Sequence, residues 1–376
     1  MNKKDKQKIP NFFADTCWYA MTKRMKEEMF ESYIQKRKKQ GFTAIQISIG
    51  IPPEVNTKNK DAESEKGIAW EENGKINFEY LEFCKERIKK INKIGLIAII
   101  YGAWGNQIEW IGKNNMLKWW NAIIDNFDSL NVIYCLTGEI DIYTHNKIDM
   151  ICRINKWKYI LKKLNKKTKK PILVHTMPGN SSYYLIKNKN LLSANTFQTG
   201  HEEKSKENLW KKIYISKIKY PKEMAINLEP YYEGINNKFY LESQITSFWL
   251  SVASGADAIC YGAQGIWNIG DGKFLSHWGK QSFQDAIMLD TPNILVKAYK
   301  RLIDNNVFEW NIINANFCNG QLIQISRKSK EGNCLTYIPE IKKAINIPEG
   351  KYYDIYKNEF CKELPKMGEA IVFKVP

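Results

Sequence analysis

Asn131-Val132-Ile133-Tyr134-Cys135-Leu136-Thr137-Gly138-Glu139 is an apolar run, long enough for a buried strand and too short for a helix, that ends on a glycine and an acid. Ala225-Ile226-Asn227-Leu228-Glu229 has the same form. Working outward from these two stretches, similar runs recur at residues 12–19, 44–48, 96–101, 171–175, 196–198 and 258–261. Helical patterns separate most of them, at 25–40, 78–94, 116–127, 148–164, 207–218 and 241–254, and glycines close several: Gly41, Gly95 and Gly255. A weaker element spans 183–192, and a helix at 294–304 completes the series. Eight strands alternating with helices predict an α/β chain, a (β/α)8 TIM barrel. Beyond it the texture changes to short runs at 322–326, 334–337, 344–347, 352–356 and 370–375, separated by turn residues. The reading is therefore a barrel over residues 1–308 and a small C-terminal antiparallel β domain, sandwich-like, over 309–376.

Composition narrows the function. The net charge is +17, but the excess is lysine in scattered runs such as 36–39 and 162–170, with few arginines and no base-reading motif. That is a solvated surface rather than a nucleic-acid interface. Acidic glycans would be attracted only weakly and without selectivity. The 8 cysteines are irregularly spaced, and Cys135, Cys260 and Cys334 fall in apolar runs, so free thiols are expected. The 4 histidines form neither HxH nor HExxH, and no glycine-rich phosphate loop occurs, so neither a metal nor a cofactor is expected. The lysines of the N-terminus precede no apolar stretch, and no segment has the length of a membrane span. A cytoplasmic location follows as an expectation, or a secreted or periplasmic one if a leader has been removed. The oligomeric state stays open.

In a barrel of this type the active site lies at the carboxyl ends of the strands. The polar and aromatic residues standing there are Asp15 and Trp18, Gln46, Trp104, Glu139, His175, Gln198 and His201, Glu229 with Tyr232 and Glu233, and Trp267. Two carboxyls among aromatic rings suit glycosidic cleavage: one protonates the leaving oxygen and the other meets the anomeric carbon. Rings stack on sugars, while Gln and His bond their hydroxyls. Glu139 and Glu229 directly follow apolar strands, poor positions for solvated glutamates. Asp15 and Asp141 equally suit helix capping or pairing with a lysine, and His175 equally suits a satisfied core position.

At these residues the chain resembles the apiosidase-like glycoside hydrolases, similar to the large clan of retaining glycosidases with acids on strands four and seven. The resemblance is carried by 13–18, 41–46, 131–139, Phe197-Gln198-Thr199-Gly200-His201, Asn227-Leu228-Glu229-Pro230-Tyr231-Tyr232-Glu233-Gly234 and 255–262, in order. It implies that Glu139 is the general acid/base and Glu229 the nucleophile of a retaining enzyme. Asp15, Trp18, Gln46, Trp104, His175, Gln198, His201, Tyr232, Glu233 and Trp267 would then bind the sugar. Two departures stand out. Aspartate is common in the family where this chain has Glu139, and the wider clan has asparagine where this chain has Gly138. The tail after Trp310 resembles the small β domain that closes many members. The expectation is an exo-acting retaining glycosidase acting on a carbohydrate, with a non-catalytic carbohydrate-binding barrel as the alternative. Retention of both acids weighs against that alternative.

Overall fold

The computed structural model describes residues 6–202, 207, 209–344, 347, 349–364 and 368–374. Eight parallel strands form one sheet: β1 (Phe13–Cys17), β2 (Ala44–Ser48), β3 (Ile97–Tyr101), β4 (Val132–Cys135), β5 (Ile172–Leu173), β6 (Asn195–Gln198), β7 (Ala225–Glu229) and β8 (Ala258–Tyr261). Their order, β5-β4-β3-β2-β1-β8-β7-β6, is that of a barrel whose ladder is open only between β5 and β6. Ser193 spans that opening by donating its backbone N–H to Ile172 O at 3.0 Å. Between the strands come α1 (Glu27–Gln40), α2 (Phe78–Lys93), α3 (Gln107–Phe127), α4 (Lys147–Lys167), α5 (Ser182–Ile186), α6 (Lys211–Lys219) and α7 (Leu241–Ala253). After β8 follow α8 (Gln264–Trp267), α9 (Phe283–Ile287) and α10 (Thr291–Asp304).

Strands β1, β2 and β7 are buried along their whole length, because helices cover the outer face while side chains fill the inner one. Helix α1 stops where expected: Gly41 takes φ 109°, and its N–H closes onto the carbonyls of Arg37 and Lys38. Helix α3 begins earlier than its pattern predicts, at Gln107, because a break at Gly112 (φ 77°, ψ 159°) joins a short first segment to the 116–127 stretch.

The C-terminal region is one antiparallel sheet in the order β13-β12-β14-β11-β10-β9. Its strands are β9 (Ile312–Cys318), β10 (Gln321–Lys328), β11 (Cys334–Ile338), β12 (Lys351–Asp354), β13 (Glu359–Cys361) and β14 (Ala370–Lys374). It is a single layer rather than a sandwich of two sheets. Its buried residues Ile325, Leu335, Tyr337 and Phe373 belong to the same apolar cluster as the barrel, and β10 and β11 lie against α7. The run expected at 344–347 includes residues outside those described. Arg327 of β10 joins the two parts. Fully buried, it bonds Asp257 Oδ1 at 2.6 Å and donates to the carbonyls of Trp310, Ala256 and Phe308. Lys217 reaches the same Asp257 at 2.8 Å.

No helix among the described residues is long and apolar enough to cross a membrane. The eight cysteines are unbridged.

Candidate active site

A cavity of 540 Å³ opens at the carboxyl ends of the strands, lined by Trp18, Trp104, Glu139, Gln198, His201, Glu229, Tyr232 and Trp267. Its size is that of a small-molecule site, about 300–1,000 Å³.

Glu229 is the last residue of β7 and 6% exposed. Its Oε1 receives two bonds of 2.8 Å, from Gln198 Nε2 and His201 Nε2. His175 Nε2 stands 3.7 Å from Oε2. Backbone amides fix the tautomer of both histidines. The N–H of Tyr232 donates to His201 Nδ1 at 3.3 Å, and the N–H of Glu139 to His175 Nδ1 at 3.4 Å. With Nδ1 an acceptor in each ring, the proton sits on Nε2 and points at Glu229. Burial pushes the Glu229 pKa up, but the His201 bond, the two histidines' fields and the Tyr232 hydroxyl outweigh it, and the net shift is downward.

Glu139 has the opposite surroundings. It lies four residues past β4, half-buried, with its backbone in the left-handed region at φ 34°. Flanking bonds hold the segment: Gly138 N–H to Ala103 O at 2.9 Å, Gly105 N–H to Gly138 O at 2.8 Å and Ile140 N–H to His175 O at 3.0 Å. Trp104 Nε1 donates to its Oε2 over a long 3.4 Å. Burial and then the Glu229 charge push its pKa up to about 8, against weaker opposition from Gln198 and Trp104. One carboxyl is thus held ionised and the other protonated near neutral pH.

Aromatic rings line the cavity. Trp18 meets Trp104 edge-on at 5.2 Å between centroids, and Tyr232 lies 4.6 Å from His201 and 6.5 Å from Trp267. Gly262 makes room for Tyr232, since a Cβ there would stand 2.4 Å from the ring.

Four of the residues expected to bind sugar lie elsewhere. Side chains alternate along a strand, so Asp15 shares the outer, helix-facing side of β1 with Phe13, while Thr16 points inward. Asp15 is fully buried against α1, where Arg37 Nε and Tyr33 Oη donate to it at 2.6 and 2.8 Å. Glu233 joins the same outer layer, accepting from Tyr261 Oη at 2.6 Å and Thr291 Oγ1 at 2.7 Å. Both are structural, and the expectation that they shape the pocket is corrected. Gln46 and His175 do face inward, but beneath the cavity floor. Gln46 accepts from Tyr101 Oη at 2.7 Å and donates to Thr16 Oγ1 and Leu228 O at 2.8 and 3.0 Å, which fixes the backbone just before Glu229. They are positioning residues. Asp141 accepts from Met177 N at 2.8 Å and Asn180 Nδ2 at 2.7 Å, and so holds the loop after β5.

Glu54, Met177, Pro178, Asn236 and Trp278 line the cavity without having been singled out from the sequence. Met177 and Pro178 stand two and three residues past the run 171–175 but are apolar, while Glu54, Asn236 and Trp278 lie farther from any run. Among the described residues no cluster of three His, Cys, Asp or Glu is placed to hold a metal ion.

Among solved structures, the chain is similar to a glycoside hydrolase family 5 protein from Bacteroides vulgatus (TM-score 0.70, 16% identity, covering 97% of this chain and 88% of that one). It is also similar to a putative glycoside hydrolase from the same species (TM-score 0.60, 12% identity, covering 98% and 78%). A third is a family 5 subfamily 18 protein from Bifidobacterium longum subsp. longum, in complex with Manβ1-4GlcNAc (TM-score 0.57, 10% identity, covering 77% and 78%). At these identities the likeness concerns the fold. No curated protein matches the sequence. The family described as apiosidase-like, catalytic domain, matches residues 4–307, the whole barrel. The chain belongs to the apiosidase-like family, and it is a glycoside hydrolase.

Proposed function

We propose that the protein releases a terminal sugar from a glycan by retaining double displacement. Glu139 protonates the departing oxygen while Glu229 attacks the anomeric carbon. Glu139, now a carboxylate, then takes a proton from the water that releases the sugar. The observation that carries this reading is the opposite surroundings of two acids in one cavity: Glu229 collects two donors at 2.8 Å and is held ionised, while burial and the Glu229 charge keep the proton on Glu139. An ionised carboxylate suits attack on the anomeric carbon, as the resemblance to the retaining clan implies, and a retaining pair would stand about 5–5.5 Å apart against about 6.5–9.5 Å for an inverting one. Terminal action is favoured by a compact cavity lined by several indole rings and by loops after β2, β5 and β7. The test is proton NMR of the first-formed product on an aryl glycoside that the enzyme hydrolyses. An initial anomer matching the substrate supports retention, and the opposite anomer refutes it.

A further inference from the structure

The mouth of the catalytic cavity carries two residues, from different loops, that the cleavage chemistry above does not use. Glu54, in the loop after β2, lines the cavity. Tyr143, in the loop after β4, donates its hydroxyl to Glu54 Oε1 at 3.1 Å. Tyr143 is 66% exposed, so a ring fixed at its hydroxyl end stays open to solvent.

Both residues are held firmly. Each takes a positive φ, 66° for Glu54 and 47° for Tyr143, which is uncommon without glycine and persists only where neighbours impose it. For Tyr143 the neighbour is Arg153 of α4. Only 3% exposed, it pairs with Glu109 at 2.7 Å and donates to the carbonyls of Ile142 and, at 3.5 Å, Tyr143. The loop of Glu54 is tied down by Gln107 Nε2, which donates to Ile51 O at 2.9 Å, and by Tyr19 Oη, which donates to Pro53 O. An exposed ring gains no core packing from being fixed in this way. It gains preorganisation, because a ligand that meets it has no side chain to order.

The position of Tyr143 in its loop indicates the ligand. The Ile142 N–H donates to Glu139 O at 2.9 Å, so the turn that starts at the acid ends beside the ring. Partial burial, then Glu54 and, after it, Glu139 push the Tyr143 phenol up to about 12, which places ring and acid in one neighbourhood. The acid hands its proton to the leaving oxygen, so the departing group lies on the acid's side of the cleaved bond. That side is the loop of Glu139 and Tyr143. A tyrosine ring offers a flat apolar face with a polar tip, which matches the amphipathic surface of a sugar. Glu54 adds an acceptor. His277 Nε2 stands 3.6 Å from its Oε2, too long for a hydrogen bond, so this oxygen can accept from a sugar hydroxyl.

We propose that Tyr143 and Glu54 form the subsite for the leaving-group sugar: the ring stacks on its apolar face, and Glu54 Oε2 accepts from one of its hydroxyls. The proposal rests on the glycosidase reading above. It means that the enzyme selects a sugar, rather than any alcohol, on the departing side of the bond.

The test runs the second half of the reaction with a sugar in place of water. An acceptor hydroxyl attacks the anomeric carbon, Glu139 takes its proton, and Glu229 departs as a carboxylate. An aryl glycoside that the enzyme hydrolyses is the donor; the methyl glycosides of glucose, galactose, mannose and xylose are the acceptors, with methanol as the comparison. The readout is the ratio of transfer to hydrolysis within one reaction, from which changes in donor turnover cancel. The wild type should transfer to at least one methyl glycoside far better than to methanol at equal concentration. Tyr143→Ala and Glu54→Ala should each lower that sugar ratio, the former on the order of ten-fold, without lowering the methanol ratio, and Tyr143→Trp should restore it. Transfer to sugars no better than to methanol would overturn the proposal, as would an unchanged sugar ratio in either alanine variant. No donor cleavage, or no transfer even to methanol, would count against the retaining glycosidase reading and not against the subsite. Saturation-transfer NMR of the same methyl glycosides then decides: a signal that Tyr143→Ala abolishes supports the stacking site, and a signal that is unchanged or absent in the wild type overturns it.

Discussion

Replacing His201 with alanine tests how the nucleophile is kept ionised. His201 Nε2 donates to Glu229 Oε1 at 2.8 Å, and the Tyr232 amide on Nδ1 fixes it as a donor. Glu229 must be deprotonated to attack. Its pKa in the folded enzyme is depressed, so activity rises as pH climbs through that value. Removing a donor raises that pKa and moves the acid limb toward neutral. A hydrogen bond to a charged group contributes about 1.5–3 kcal/mol, and one pKa unit is about 1.36 kcal/mol. The acid limb of kcat/KM should therefore move up by roughly one to two pH units, a property of the coupled pair rather than of Glu229 alone. The alkaline limb, set by Glu139, should stay close to its wild-type position. His201→Gln keeps an N–H donor and should restore much of the profile. The assay is kcat/KM on an aryl glycoside across the pH range. A uniform loss with both limbs in place would refute the reasoning and reduce His201 to a wall of the pocket.

Three further outcomes follow from the same geometry. Glu229→Gln should abolish turnover on every substrate, while Glu139→Gln should spare aryl glycosides with good leaving groups; azide should rescue the latter to a glycosyl azide of retained configuration, and an equal loss on all leaving groups would remove Glu139 from the acid/base role. Glu139→Gln should also melt at a higher temperature than the wild type. The folded pKa of Glu139 is raised, so its contribution to stability is present below the unfolded value and is lost as pH rises through the folded one. The gap in Tm should therefore widen from about pH 5 to about pH 9, and a gap constant with pH would contradict the burial argument. Arg327→Met should destabilise the fold by about 3–5 kcal/mol in urea titrations, because it breaks a buried ion pair and strands three carbonyls; a loss under about 1 kcal/mol would mean that the C-terminal sheet is held by its apolar face alone.

The barrel was legible because its strands are buried on both faces and so read as unbroken apolar runs. Even so, β5 is only Ile172–Leu173, shorter than its run, although His175 still exchanges backbone bonds with Thr137 and Ile140 beyond β4. The sheet after the barrel was harder to read. β9, Ile312–Cys318, is exposed at most positions and rich in asparagine, so it carries no apolar alternation. Its end was nonetheless signalled: Asn319-Gly320 joins it to β10, with both residues at positive φ (49° and 77°), as a tight hairpin requires. Within the site, position at a strand end was readable but facing was not. Asp15 follows the inner-or-outer alternation set by Phe13, whose ring packs on Phe42 and Tyr299 in the helix layer. Counting by two from that phenylalanine assigns Asp15 to the outer face. Glu54 and Trp278 had no such handle, since loops that meet only in three dimensions bring them to the cavity.

The glycine before Glu139, a departure from the clan pattern, has a physical cause. A Cβ on Gly138 would stand 2.5 Å from Trp104 Cε2, and one on Gly105 would stand 2.3 Å from Glu139 O. The two glycines therefore let the indole lie directly against the acid's own backbone and let Glu139 adopt its left-handed turn. An asparagine at 138 would take the indole's space. The indole brings apolar surface and a single long N–H contact of 3.4 Å. Glu229, by contrast, collects two donors at 2.8 Å. A carboxyl surrounded by ring carbon and facing a charged neighbour keeps its proton, and a carboxyl surrounded by N–H groups gives its proton up. Two identical side chains thus acquire opposite tasks from what packs around them, and in this chain Gly138 is the residue that admits the ring.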